Sequence, residues 1–345
     1  MSLHIQRLLQ EGINLKVLVT GASGFVGGHL IEELIRKGYE VRGMVRKTSD
    51  VSLLKQLDVE IAYADLTQPE TLVEVVKGVD AVIHLAAYYT FYGKKELYRL
   101  VNVEGTENLA KLSLKNGVKR FIYCSSTEAI GPVKNPPGDE NTEPNPQFEY
   151  GRSKLQAELK VRELSRYGLK YTIVRPSGIY GPRNVDDVAY WFITTYAKGG
   201  LASKIIVGSG TNLVQFAHVK DVVQGFTLVL ERWDVSENQT YIVSEDRAYT
   251  YLEVYKILSE ILGKEPPKYH VNPKLAKALL LFAEVYDRLR GGENFMYRVK
   301  VVDAVTSDRA YSVEKAKREL GYMPKYDLRR GLYETIEWYR SNGFL

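Results

Sequence analysis

The stretch that most restricts what this chain can fold into is Val17-Leu18-Val19-Thr20-Gly21-Ala22-Ser23-Gly24-Phe25-Val26-Gly27-Gly28-His29-Leu30. Three β-branched or aliphatic residues read as a buried strand, the glycines as a tight turn, and the residues after Gly24 as the start of an amphipathic helix. A strand that feeds a helix through glycines brings bare backbone N–H groups and the positive end of a helix dipole to one point, where an anion such as pyrophosphate binds. Gly21 lets the chain turn, Gly24 lets phosphates approach the backbone, and Gly27 lets the helix lie close to the strand. The spacing is G-x-x-G-x-x-G, not the more familiar G-x-G-x-x-G.

The alternation of apolar strands and helical stretches continues from Lys16 to Ile122, as a parallel sheet requires. Strands are expected at Lys16–Thr20, Glu40–Val45, Val59–Ala64, Ala81–Leu85 and Arg120–Cys124, with helices beginning near Gly24, Ser52, Thr71 and Val103. A sixth strand is expected at Lys170–Val174. Beyond it, helical segments (187–197, 220–230, 251–262, 275–289, 313–319 and 328–341) mix with short strands near 205–207 and 240–243. The expected architecture is α/β: a Rossmann-type, doubly wound parallel sheet with a smaller, mainly helical C-terminal lobe over the sheet edge. Residues 1–14 read as an extension, 15–180 as the dinucleotide-binding domain, and 181–345 as mostly substrate lobe with some returns to the sheet. The 345 residues suffice for this, and their 45% apolar and 26% charged content is that of a globular protein.

Charge and cysteine use exclude several classes. The net charge of +5 comes from scattered cations with acids between them, which argues against nucleic acid as the partner. The single Cys124 excludes an intrachain disulfide and a cysteine-based zinc site; no metal is expected, and the chain fits a reducing cytoplasm. Met1–Gln10 lacks the apolar run of a signal peptide. The run Ala278–Ala283 is too short to span a bilayer, but its flanks, Leu275–Leu289, make an amphipathic helix that suits a lid, a core element or a membrane surface.

Several strand ends carry polar residues with two readings each. The second strand ends Val45-Arg46-Lys47, about 20 residues beyond Gly27, where an acid would accept ribose hydroxyls. Two cations there suit a 2′-phosphate, hence NADP over NAD, or simply face solvent. Asp65-Leu66 follows the third strand, where the carboxylate could accept an adenine amino group or close a turn. His84 before Leu85-Ala86-Ala87 reads as structural. Asn102 is either the N-cap of the helix Val103–Leu114 or a buried polar residue near a cofactor.

The sharpest chemistry follows the fifth strand, which runs into Cys124-Ser125-Ser126-Thr127-Glu128. After the loop 131–146 comes Tyr150-Gly151-Arg152-Ser153-Lys154 at the head of a helix, so Tyr150 and Lys154 share a face. An ammonium at ~4 Å, at an effective dielectric of ~20, would favour the phenolate by up to ~4 kcal/mol, about three pKa units below the usual ~10. Such a tyrosine could both take and give a proton near neutrality.

Taken together, these motifs resemble the extended short-chain dehydrogenase/reductase family, also called NAD-dependent epimerase/dehydratases. Arg175-Pro176-Ser177-Gly178-Ile179-Tyr180-Gly181-Pro182 and the tail Tyr311-Ser312-Val313-Glu314-Lys315 through Tyr322 belong to the same likeness. The nearest look is to dihydroflavonol-reductase-like and 3β-hydroxysteroid-dehydrogenase-like members. The resemblance implies Tyr150 as acid/base, Lys154 on the nicotinamide ribose, and Ser126 hydrogen-bonding the reacting oxygen, with hydride passing between nicotinamide and a carbinol carbon. It implies cofactor contacts from Gly21, Ser23, Gly24, Phe25, Val26, Gly27, Arg46, Lys47, Asp65, Leu66, Leu85, Ala86, Ala87, Asn102, Ser125, Tyr150, Lys154, Pro176 and Ile179. Substrate contacts are expected from Tyr88, Thr127, Glu128, Tyr180 and Arg183, with Tyr89, Phe91 and Tyr92 available for an aromatic wall. Glu128 takes the place of a dehydratase glutamate, but reads better as a pocket-wall or solvated residue.

Two functions are thus expected. One is an NAD(P)-dependent oxidoreductase acting on a secondary alcohol or ketone. The alternative is a nucleotide-sugar 4-epimerase or dehydratase with tightly bound NAD; less favoured is a non-catalytic dinucleotide sensor. Leu213-Val214-Gln215-Phe216 lacks the Arg-Asp pair that many sugar-nucleotide members carry before this Phe, although Arg183 could partly replace the arginine. The family also implies a homodimer through the helices after Gly93 and Tyr150.

Overall fold

The computed structural model describes residues 15–90, 93–185, 187–200, 202–290 and 298–345. Seven parallel strands form its central sheet: β1 (Lys16–Thr20), β2 (Glu40–Val45), β3 (Glu60–Tyr63), β4 (Ala81–His84), β5 (Arg120–Cys124), β6 (Tyr171–Pro176) and β7 (Gln239–Val243), in the order β7-β6-β5-β4-β1-β2-β3. Chain direction across the sheet reverses between β1 and β4, whose Val17–Thr20 and Ala81–His84 are in register. In an open α/β sheet that reversal opens a crevice at the carboxyl ends of the strands.

The period of two along each strand divides the core into two layers. Val17, Val19, Ile83, Ile122 and Val174 point to one face. There they meet α1 (Phe25–Arg36) through Leu30, Ile31 and Leu34, and a later helix, Val219–Glu231, through Val222, Phe226 and Leu230. Leu18, Val82, Phe121, Tyr123 and Ile173 point the other way. Leu109 and Ala110 of α2 (Gly105–Lys115), with Ala157, Val161 and Leu164 of α3 (Glu149–Ser165), cover that side. Burial on both faces is why these strands are almost uninterruptedly apolar.

The smaller lobe has its own core, in which Ile193 and Tyr196 of α4 (Val188–Lys198) meet elements further along the chain. With α5 (Val219–Glu231) already placed against the sheet, the longer helices that follow are α6 (Tyr251–Leu262), α7 (Pro273–Leu289) and α8 (Leu328–Ser341). Val254, Ile257 and Leu258 of α6 pack against Leu332, Ile336 and Tyr339 of α8. Short strand pairs stand apart from the central sheet: Gly178–Tyr180 lies parallel to Phe216–His218, and Ile205–Val207 parallel to Tyr269–Val271.

One expectation at this level is overturned. Asn102 does not start a helix: helical backbone begins at Lys95 and passes through a π-helical turn, Tyr98–Glu104, before α2. The wide turn accommodates a side chain that is bonded sideways, away from the helix axis. Smaller differences fall at strand ends, where β3 is shorter than Val59–Ala64 and β6 runs two residues past Val174.

Candidate active site

The glycine turn is built as its sequence requires. Gly21 has φ +69°, and a Cβ there would lie 2.9 Å from the Ala86 nitrogen; a Cβ on Gly27 would overlap the Gly21 carbonyl oxygen. Helix α1 therefore rests directly on the turn. Gly24 caps it with no side chain over its free N–H groups, and its first turn holds no acid. Bare donors at a helix N-terminus fit the diphosphate of a dinucleotide.

His84 fixes the facing wall. Thr106 Oγ1 donates to the Asn102 carbonyl at 2.7 Å, so it accepts from His84 Nε2–H at 2.9 Å. His84 Nδ1 then accepts from Thr20 Oγ1 at 2.7 Å, and Thr20 Oγ1 accepts the Ala86 N–H at 3.1 Å. Burial pushes this histidine down to about 3, so it is a neutral strut that carries Leu85-Ala86-Ala87 across the sheet edge.

Asn102, almost fully buried, is a second strut. Its Oδ1 accepts the Tyr88 N–H at 2.6 Å, and its Nδ2 donates to the Tyr88 carbonyl and to Ser153 Oγ at 3.0 and 2.9 Å. Ser153 Oγ in turn donates to the Tyr150 carbonyl at 2.7 Å. Asn102 thus ties the first turn of α3 to the loop after β4, and it is not among the residues that line the cavity.

That cavity, of about 1020 Å³, runs from the glycine turn past Ser126, Tyr150 and Lys154 into the smaller lobe. Tyr150 is buried there, with the Tyr89 ring edge-on at 5.0 Å. Burial, with Cys124 and Glu128 nearby, holds its phenol well above 10, while a hydrogen bond with Ser126 pulls downward. The expected drop toward neutrality is therefore reversed in direction. Lys154 Nζ donates to the Cys124 carbonyl at 2.7 Å and lies 5.8 Å from the Tyr150 ring centre and 4.9 Å from that of Tyr123. Loss of water is the largest cause of the upward shift of Tyr150 and outweighs the Ser126 hydrogen bond.

The two serines are distinguished by their partners. Ser125 Oγ donates to Glu158 Oε1 at 2.5 Å, and Arg175 holds both oxygens of that buried carboxylate at 2.8 and 2.7 Å. Ser126 Oγ accepts the Glu128 N–H at 3.1 Å and faces Tyr150. Glu128 is neither solvated nor alone: Arg309 Nε donates to its Oε1 at 2.9 Å, while its buried Oε2 has no hydrogen-bond partner. Arg309 is further fixed by the Gln147 side chain and the Ala304 carbonyl, at 3.0 and 2.9 Å. Arg309 was missed in the sequence because nothing local marks it; only the adjoining Tyr311 tail motif lies near.

The remaining expected residues divide. Ser23, Phe25, Val26, Arg46, Asp65, Leu66, Pro176, Ile179, Tyr88, Thr127 and Tyr180 line the cavity. Asp65 Oδ1 also closes a turn with the Thr67 N–H at 2.8 Å, and the Tyr180 hydroxyl is committed to Glu245 at 2.7 Å. Lys47 is exposed and outside the wall. Arg183 is a correction: at φ +72° its guanidinium turns to both oxygens of Glu32 on α1, at 2.9 and 2.6 Å, and does not line the cavity. Phe91, Tyr92 and the 1–14 extension lie outside the described residues.

A Rossmann sheet with an uncapped glycine turn and a buried Tyr–Lys–Ser group at its crevice defines the class: an enzyme that works with a nicotinamide dinucleotide. Residues 17–244 match the NAD-dependent epimerase/dehydratase family, and the chain belongs to it. Over 338 residues it is 28% identical to a 3-beta-hydroxysteroid dehydrogenase of Mycolicibacterium neoaurum, covering 94% of this chain and 91% of that one. The crystal structure of gox2253 superposes with TM-score 0.81 at 33% identity, over 96% of this chain and 99% of the other. A dTDP-glucose 4,6-dehydratase of Streptomyces venezuelae with bound NAD superposes with TM-score 0.76 at 26% identity, over 96% and 98%. Both dehydrogenase and epimerase/dehydratase chemistries are thus represented among the relatives. Among the described residues no helix is long and apolar enough to cross a membrane.

Proposed function

We propose that the chain is a reductase/dehydrogenase that moves hydride between a nicotinamide cofactor and a secondary alcohol or ketone carbon on a largely apolar substrate. The observation that carries this is the charge of the cavity wall. Among the described residues its cationic side chains are Arg46, Lys154 and Arg309, and Arg309 is already paired with Glu128. Arg183, the residue expected to meet a nucleotide-sugar diphosphate, is held by Glu32. The far wall is supplied by apolar groups such as Phe192, Leu280, Val301 and Val305.

In this reading Gly21, Gly24 and Gly27 hold the diphosphate, with Ser23, Phe25 and Val26 beside it. Leu85, Ala86, Ala87, Pro176 and Ile179 flank the cofactor's path, and Lys154 binds the nicotinamide ribose. Tyr150 gives a proton to the carbonyl oxygen, or takes it from the alcohol, and Ser126 orients that oxygen. When bound, the cofactor supplies the hydride. Arg46 and Ser49 line the adenosine end, where β2 ends without a carboxylate, which supports NADP over NAD. A homodimer through α3 and the helix before it belongs to the same proposal.

The second reading, an epimerase or dehydratase that retains NAD, draws on Glu128 standing in the wall beside Ser126 and Tyr150. One measurement separates the two: denature the purified protein, identify any released nicotinamide, then titrate the protein with NADPH and NADH. The expected result is no stoichiometric NAD and tighter binding of NADPH. Near-stoichiometric released NAD would overturn both the reductase reading and the NADP preference.

A further inference from the structure

Helix α7 presents an apolar face to solvent. Leu275, Leu279, Phe282, Tyr286 and Leu289 recur at steps of four and three, so they share one side. All are more than half exposed, Phe282 at 77% and Leu289 at 82%. Both acids of the helix are turned inward: Glu284 Oε2 accepts the Val299 N–H at 2.9 Å, and Asp287 pairs with Arg298 at 2.8 Å. Among the described residues, the exposed charges bordering the stripe are cations, Lys274 and Arg290, with Arg290 lying 4.4 Å over the Tyr286 ring. An apolar stripe with a basic border is the pattern of a helix lying in an anionic lipid interface.

The stripe is continuous with the cavity. Leu279 is 59% exposed and also lines it, next to Leu280 and Ala276. We propose that α7 seats in the headgroup layer of an anionic bilayer and that the cavity opens toward that layer past Leu279, so that the substrate is a lipid-dissolved alcohol or ketone. The substrate half of this rests on the apolar-cavity reading above; the docking half does not. A second copy of the chain suits the face less well, since antiparallel pairing of two such helices would set the Lys274 end of one against the Arg290 end of the other.

The test uses the full chain and sedimentation with vesicles, either pure phosphatidylcholine or equal parts phosphatidylcholine and phosphatidylglycerol. Binding is expected to the mixed vesicles, to weaken in high salt, and to fall about tenfold or more in a Phe282→Ser/Leu289→Ser double variant. NADPH titration checks that the variant retains its fold, because neither residue lines the cavity. No binding to the mixed vesicles, binding indifferent to the double variant, or a dimer that the double variant dissolves would each overturn the proposal. A chain that binds vesicles but transfers no hydride leaves α7 docking intact and removes the reductase reading; an active chain that ignores vesicles does the reverse.

Discussion

At the residue scale the direction of the Tyr150 shift decides which half of the chemistry is ready at neutral pH. A phenol held well above 10 carries its proton throughout the physiological range. It can therefore donate to a carbonyl oxygen without prior ionisation, whereas alcohol oxidation needs the rarer phenolate. Carbonyl reduction is expected to stay level between about pH 6 and 9, and alcohol oxidation to rise about tenfold per pH unit over that range. Tyr150→Phe should lower kcat in both directions by about 10²-fold or more and spare cofactor affinity. Steady-state rates with a cofactor titration check both statements; undiminished turnover in Tyr150→Phe would remove the tyrosine from the chemistry.

At the element scale the glycine turn and α1 act as one unit. A methyl group on Gly27 would meet two backbone segments, Gly21 and Ala22, and neither can rotate away. Gly27→Ala is expected to push α1 off the turn, cost about 1–3 kcal/mol, and weaken nicotinamide binding by about tenfold or more. Gly24→Ala is the control for stability alone, because its nearest neighbour is the Gly21 oxygen at 3.2 Å and its φ is ordinary at −81°, although a methyl group there would still stand in the way of the phosphates. Denaturation midpoints of the two variants test the contrast, and equal loss of stability would refute it. This turn was legible in the sequence because strand, glycines and helix are consecutive. So were the strands β1, β2 and β5, whose buried faces leave an apolar run. The π turn at Asn102 was not, since the partners of that side chain, Tyr88 and Ser153, belong to other elements and no local pattern announces them. Nor was the Glu128–Arg309 pair, whose members stand far apart in the chain and meet only in the folded structure. The Tyr150–Lys154 spacing was readable, but the direction in which burial shifts the phenol depends on walls that no spacing records.

At the scale of the whole molecule, the faces that remain uncovered decide where the proposed homodimer would form. The face of α3 opposite its Tyr150 and Lys154 side exposes Leu159, at 57%, among charges. Lys160 reaches Glu107 of α2 at 3.6 Å, and Lys111 pairs with the same carboxylate at 2.7 Å. A two-fold contact here places like surface on like surface, so its apolar centre is two Leu159 side chains ringed by ion pairs that are already satisfied within each copy. Such an interface leans on its few apolar atoms. Leu159→Glu should therefore convert the proposed homodimer to monomer at micromolar concentration in sedimentation velocity, without touching cofactor affinity. A wild-type chain that sediments as a monomer under those conditions would remove the dimer. A dimer that survives Leu159→Glu would move the contact to another face, and the α7 double variant then shows whether that face is the apolar stripe.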